Sequence, residues 1–67
     1  MTNLPLSDRE VIIEYKSVGN YVKVSAMDTA SLTEISISGP ATASEDTLKR
    51  NALKRLEYVL KKNGVIS

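Results

Sequence analysis

The chain has no cysteine and no histidine, and it has only three glycines and two prolines. Without cysteine there is no disulfide, no thiolate nucleophile, no iron–sulfur cluster and no zinc-thiolate site. Without histidine there is no imidazole general base and no ordinary zinc or haem ligand. Three scattered glycines supply no Gly-rich phosphate loop, and Val18-Gly19-Asn20 reads as a turn. Long apolar runs are missing too. The longest is Val11-Ile12-Ile13, against the roughly 18 residues a membrane span needs. Met1 to Glu10 lack both the basic stretch and the apolar core of a signal peptide. The expectations are a cytoplasmic location, no membrane, no metal and no cofactor.

What is present is a chain of 67 residues, enough for one domain. A domain this small hides only about 60% of the surface its unfolded chain exposes, so its stability is marginal. Leu, Ile and Val together make 18 of the 67 residues, above the roughly 20% below which disorder is expected. Nine basic and eight acidic residues leave a net charge of +1. The charge is uneven: six basic and three acidic residues lie from Glu45 onward, three basic and five acidic before it.

Residues 1–9 are polar, contain Pro5 and show no period, so they read as a flexible N-terminal arm. A single domain over residues 10–66 follows. Residues 10–17 alternate, with Val11, Ile13 and Tyr15 on one side and Ile12, Glu14 and Lys16 on the other. Residues 21–27 repeat this with Val22, Val24 and Ala26, and residues 34–38 with Ile35 and Ile37. The β-branched content supports three strands. Face matching pairs Tyr15 with Val22, Ile13 with Val24 and Val11 with Ala26, setting Glu14 opposite Lys23 across a loop Ser17-Val18-Gly19-Asn20. Pairing Val24 with Ile37 and Ala26 with Ile35 fits the second hairpin, although a slip of two would also keep the faces matched. Gly39-Pro40 reads as the end of the third strand.

A helix over residues 45–63 is predicted by Ser44 as N-cap, Glu45 and Asp46 in the first turn, Lys61 and Lys62 in the last, and Gly64 at the left-handed cap position. Thr47 stands where Glu or Gln would complete a capping box, and Val65 is expected to pack back on the last turn. Leu48, Ala52, Leu53, Leu56, Val59 and Leu60 fall within about 140° of helical arc. One apolar sheet face and one apolar helix stripe must cover each other. The fold class is therefore α+β, a two-layer β-β-β-α arrangement in which a three-stranded antiparallel meander packs on one C-terminal helix. Its expected core is Val11, Ile13, Tyr15, Val22, Val24, Ala26, Ile35, Ile37, Leu48, Leu53, Leu56, Val59 and Leu60.

The runs Glu10 to Tyr15, Val18 to Asp28, Thr33 to Ile37 with Gly39-Pro40, and Leu56 to Leu60 resemble a family of small uncharacterised alphaproteobacterial proteins forming a domain of unknown function. The resemblance covers most of Glu10 to Lys62. Members carry a proline and a glycine in the loop after Asp28, where Thr29 and Leu32 stand here. It implies one compact domain in a bacterial cytosol and brings no catalytic or binding residues with it.

Three candidate sites remain. On the helix, Arg50, Lys54, Arg55, Lys61 and Lys62 lie opposite the apolar stripe with Tyr58 among them. Such a face can follow a phosphate backbone with a tyrosine to stack on a base, or simply keep a small protein soluble. A pI near 8 falls short of the basic balance of nucleic-acid domains. On the open sheet face, Glu14 and Glu34 oppose phosphate binding, while Ile12, Tyr21 and Met27 form a thin apolar component suited to a protein contact. For catalysis, Asp8, Glu10 and Asp28 offer carboxylates and Ser25, Ser36 and Ser38 hydroxyls. A serine nucleophile would have only a lysine as base, and Lys23 beside Ser25 on a solvated face is a poor one. The sequence thus favours a non-enzymatic module that binds an unknown protein partner or forms a homo-oligomer, with weak electrostatic nucleic-acid binding by the helix as the alternative.

Overall fold

The computed structural model describes residues 9–66, so the arm expected over residues 1–9 lies outside the described residues apart from Arg9. Three strands and one helix follow in order: β1 (Val11–Val18), β2 (Tyr21–Asp28), β3 (Thr33–Pro40) and α1 (Glu45–Lys62). The strands form one antiparallel sheet in the order β1-β2-β3, and α1 packs on one face of it. This is the α+β meander with a C-terminal helix that the alternating pattern and the helical stripe predict.

The first hairpin departs from the expected pairing. Tyr15 lies opposite Val24, Ile13 opposite Ala26 and Val11 opposite Asp28, a slip of two residues. The cause is the turn. Gly19 takes φ +57° while Asn20 has no positive φ, the pattern of a type II′ two-residue turn. Such a turn matches the right-handed strand twist and lets β1 and β2 pair from Val18 and Tyr21 onward, where a four-residue loop would waste both. A slip of two preserves faces, so each residue still points as expected. Its neighbours change: Glu14 faces Ser25 instead of Lys23, and Lys16 faces Lys23.

The second hairpin pairs Val24 with Ile37 and Ala26 with Ile35, as one of the two face-matched registers requires. Its connection contains no glycine, so the left-handed position falls on Leu32 at φ 59°. β3 does not stop before Gly39. It runs through Gly39 and Pro40, and both have a local reason. A Cβ on Gly39 would run into Leu48 Cδ2, so the missing side chain lets the helix start close to the sheet. Pro40 pairs opposite Tyr21 in a position flanked by the Ala41 N–H to Asn20 C=O bond, which turns its own missing donor to the outer edge.

The helix ends are chemically closed. Ser44 Oγ accepts the Thr47 N–H at 3.1 Å, and its hydroxyl meets the Thr47 hydroxyl at 2.8 Å in place of the return bond that Glu or Gln would make. At the other end the Val65 N–H reaches Leu60 C=O and the Gly64 N–H reaches Lys61 C=O, a Schellman motif with Gly64 at φ 78°. The Val65 side chain stays exposed. Ile66 is the residue that packs against the core, one position beyond the expected one.

Val24, Ala26, Leu48, Ala52, Leu56 and Leu60 are fully buried, and Val11, Ile13, Val22, Ile35, Ile37 and Leu53 pack around them. Val59 is half-buried. Tyr15 is the exception in the expected core, at 39% exposure. It points to the helix side, but α1 lies against β3 and β2 and leaves β1 beside it.

Leu56 is fully buried at the middle of the helix stripe. Leu56→Ala therefore lowers stability by about 2–5 kcal/mol, which unfolds much of so small a domain at 37 °C; thermal denaturation followed by circular dichroism reads it. At Leu32, exposed and left-handed, glycine removes a steric cost of about 1–2 kcal/mol and adds some unfolded-state entropy. Leu32→Gly raises stability by about 0.5–1 kcal/mol in the same assay.

Candidate functional site

Asp28 is the one buried charged residue among the described residues. It follows Val22, Val24 and Ala26 on the inward side of β2 and is fully inaccessible. Arg9, just before β1, grips it in a fork: Nε donates to Oδ1 and Nη2 to Oδ2, both at 2.8 Å. Ser31 donates twice to Oδ2, from its N–H at 3.0 Å and its hydroxyl at 2.6 Å. That uses the one Ser31 hydroxyl proton, so the Thr33 hydroxyl 2.8 Å away is the donor to Ser31. Beside the cluster, the Thr29 N–H and hydroxyl both reach Glu10 C=O at 3.2 Å. The four bonds to the carboxylate leave it satisfied, with no unpartnered buried side-chain polar atom among the described residues.

The Arg9 hydrogen bonds, then those of Ser31, hold the Asp28 carboxyl well below the usual carboxylate range, outweighing the opposing effect of burial. Asp28 in turn raises Arg9. A carboxylate so placed is a poor proton acceptor, and its chemistry here is to fasten three chain segments at one end of the sheet. Sequence reasoning took Asp28 for a free carboxylate and Arg9 for part of the arm. The signal lay in the strand period, which puts Asp28 at the next inward position after Ala26, where a charge requires a partner.

The residues named for the open sheet face separate into two groups. Ile12 pairs with Met27 at one end, while Tyr21 lies at the other end opposite Val18. Between them run Glu14, Ser25 and Ser36, then Lys16, Lys23 and Ser38. An open depression there is lined by Glu14, Tyr15, Lys16, Lys23 and Ser25. It brings Lys23, Ser25 and Glu14 together on a face open to solvent.

The basic helix face is partly occupied by its own chain. Arg50 pairs with Asp46 at 3.0 Å and Lys61 with Glu57 at 3.1 Å, each one turn apart. The Arg55 guanidinium sits 5.4 Å from the ring centroid of Tyr58, on one face of a ring that is otherwise exposed. Lys54 and Lys62 make no ion pair among the described residues. Among those residues, too, no helix is long and apolar enough to cross a membrane, and no group of three acidic residues gathers as metal ligands would.

The two outer strands differ. In β2, the Glu10–Thr29 and Asn20–Ala41 backbone bonds fix which groups point where. Even-numbered residues of β1 bond to β2, and Val11, Ile13, Tyr15 and Ser17 turn their N–H and C=O outward. β3 is overlain by α1 and ends its outer edge on Pro40, which has no N–H to offer. Among the described residues, β1 has neither feature. The difference between the two edges depends on where the helix lies, which the strand pattern alone does not give.

Asp28 makes the stability acid-sensitive. Its folded pKa is depressed, so its contribution is complete above the unfolded value of 3.8 and is lost as pH falls below it. The thermal midpoint of the wild type should therefore drop steeply below about pH 4. Asp28→Asn has a lower midpoint at neutral pH and a shallower acid limb, read by melting curves across pH.

No curated protein and no solved structure matches the chain. A family model does match, over residues 8–63, which takes in all three strands and α1 in full. The chain belongs to the family DUF6898, a domain of unknown function.

Proposed function

We propose that this domain is a non-enzymatic protein-interaction module that binds by adding an extended strand to the free edge of β1. The observation that carries this reading is the edge itself: four residues with outward backbone groups, no proline, and no strand paired beside them among the described residues. The exposed apolar side chains of β1 support it, with Ile12 at 44%, Tyr15 at 39% and Val18 at 37%. A small core also gains from a partner that shields it. The absence of a catalytic role is supported by Asp28, the buried carboxylate, which is fully engaged by Arg9 and Ser31. The bacterial and cytosolic setting is part of the same proposal and rests on the family resemblance. Nothing on the helix favours nucleic acid over this reading, since Arg50, Arg55 and Lys61 already have intramolecular partners.

The test uses proline as a blocker. Tyr15→Pro and Ser17→Pro each remove an outward N–H and leave the bonds to β2 in place, so the monomer folds. If a second protein strand docks at β1, the wild-type amides of Ile13, Tyr15 and Ser17 exchange slowly when the partner is present. A partner that is another copy also makes the melting temperature rise over about a hundredfold increase in concentration. Both effects disappear in the proline variants. Fast exchange at these amides in concentrated protein and in cell lysate alike overturns the proposal.

A further inference from the structure

The geometry points to a specific occupant of this edge: β1 of a second copy, paired antiparallel about a two-fold axis through Tyr15. This rests on the strand-addition reading above and adds the partner and the register. Opposed residues in an antiparallel pair share a face, so the axis must pass through a residue of β1, and the choice among residues is a matter of side chains. With the axis at Tyr15, Glu14 faces Lys16 of the second copy and Lys16 faces its Glu14. Ile12 and Val18 face each other in the same reciprocal way. All four lie on the open face of the sheet, two opposite charges inside and two apolar residues outside. On the helix side Tyr15 meets its own equivalent, and Ile13 meets Ser17.

The backbone agrees with this axis. Tyr15, Ile13 and Ser17 are residues whose N–H and C=O point outward, so Tyr15 and its equivalent exchange two bonds, and each Ile13–Ser17 pair two more. The Glu14–Lys16 contacts then fall in non-hydrogen-bonded pairs, where side chains stand closest. Moving the axis removes the match. At Glu14 it sets glutamate on glutamate and Ile12 on Lys16; at Lys16 it sets lysine on lysine. At Ile13 it gives Lys16 the Glu10 of the other copy but sets Ile12 against Glu14. The three half-exposed apolar residues of β1 find apolar partners together in one register. Within the monomer, by contrast, Lys16 is set opposite Lys23, and Glu14 opposite Ser25.

The experiment is sedimentation equilibrium on the intact chain and on charge-exchanged variants, all checked for native circular dichroism. Glu14→Lys turns two attractions into two repulsions, as does Lys16→Glu, and each weakens self-association about tenfold. The double variant Glu14→Lys with Lys16→Glu restores both pairs and the wild-type dissociation constant. Restoration separates the Tyr15 axis from the Ile13 one, in which Lys16→Glu meets an unchanged Glu10 and the second change brings no recovery. A dimer that Tyr15→Pro abolishes but the charge exchanges leave untouched overturns this register and keeps the strand-addition reading. A dimer indifferent to Tyr15→Pro overturns both. A chain that stays monomeric to about 1 mM overturns the self-pairing, and the foreign-strand form of the reading is then decided by the amide exchange described above.

Discussion

An α-helix with its side chains is about 10 Å across, and neighbouring strands lie about 4.8 Å apart. One helix therefore covers about two strands, and this sheet has three. α1 settles over β2 and β3, where Gly39 lets Leu48 approach the sheet and where Val24, Ala26, Leu56 and Leu60 close the core. Everything distinctive about β1 follows from being the strand left over. Its inward residues Val11 and Ile13 are half-covered, Tyr15 more open still, and its outer backbone has no strand partner among the described residues. The same limit makes a partner useful, because a second copy would extend the sheet at the place where the helix runs out.

A strand at the margin of the helix needs another attachment, and the Arg9–Asp28 cluster supplies one. Arg9 at the entrance to β1, Asp28 at the end of β2, and Ser31 and Thr33 at the entrance to β3 meet within one set of hydrogen bonds. Together with the Thr29–Glu10 bonds they fix one end of the sheet, while the tight Gly19-Asn20 turn fixes the other end of the first hairpin. A buried ion pair contributes little net energy when both partners are present and costs much when one is lost. Its role here is positional: it holds β1 in register where side-chain packing is thin.

The two edges of the sheet are managed differently, and the difference gives the domain a direction. β3 lies under α1 and ends in Pro40, while β1 carries three half-exposed apolar residues on an edge that is unpaired among the described residues. Charge is arranged with the same asymmetry. On α1, Arg50 and Lys61 are answered by carboxylates one turn away, whereas Glu14 and Lys16 stand one pleat apart on β1, related by the residue between them. A two-fold dimer through β1 would use the same edge of both copies, which is a closed assembly and not a growing fibre.

Much of the fold was legible in local chemistry. Period-two alternation placed three strands and their faces, Ser44 and Gly64 bounded the helix to within a residue, and the apolar stripe named Leu48, Leu56 and Leu60 as core. These depend on short-range geometry that each segment carries in its own residues. The pairing of the first hairpin did not, because a slip of two leaves every face unchanged and the choice is made by turn strain at Gly19. The burial of Asp28, the exposure of Tyr15 and the weakness of one edge depend on which strands a single helix can reach, which is a matter of widths in three dimensions. The sequence by itself determined the elements and their faces; the tertiary structure decided which inward residue is covered, because coverage belongs to the packing between layers and not to any one strand.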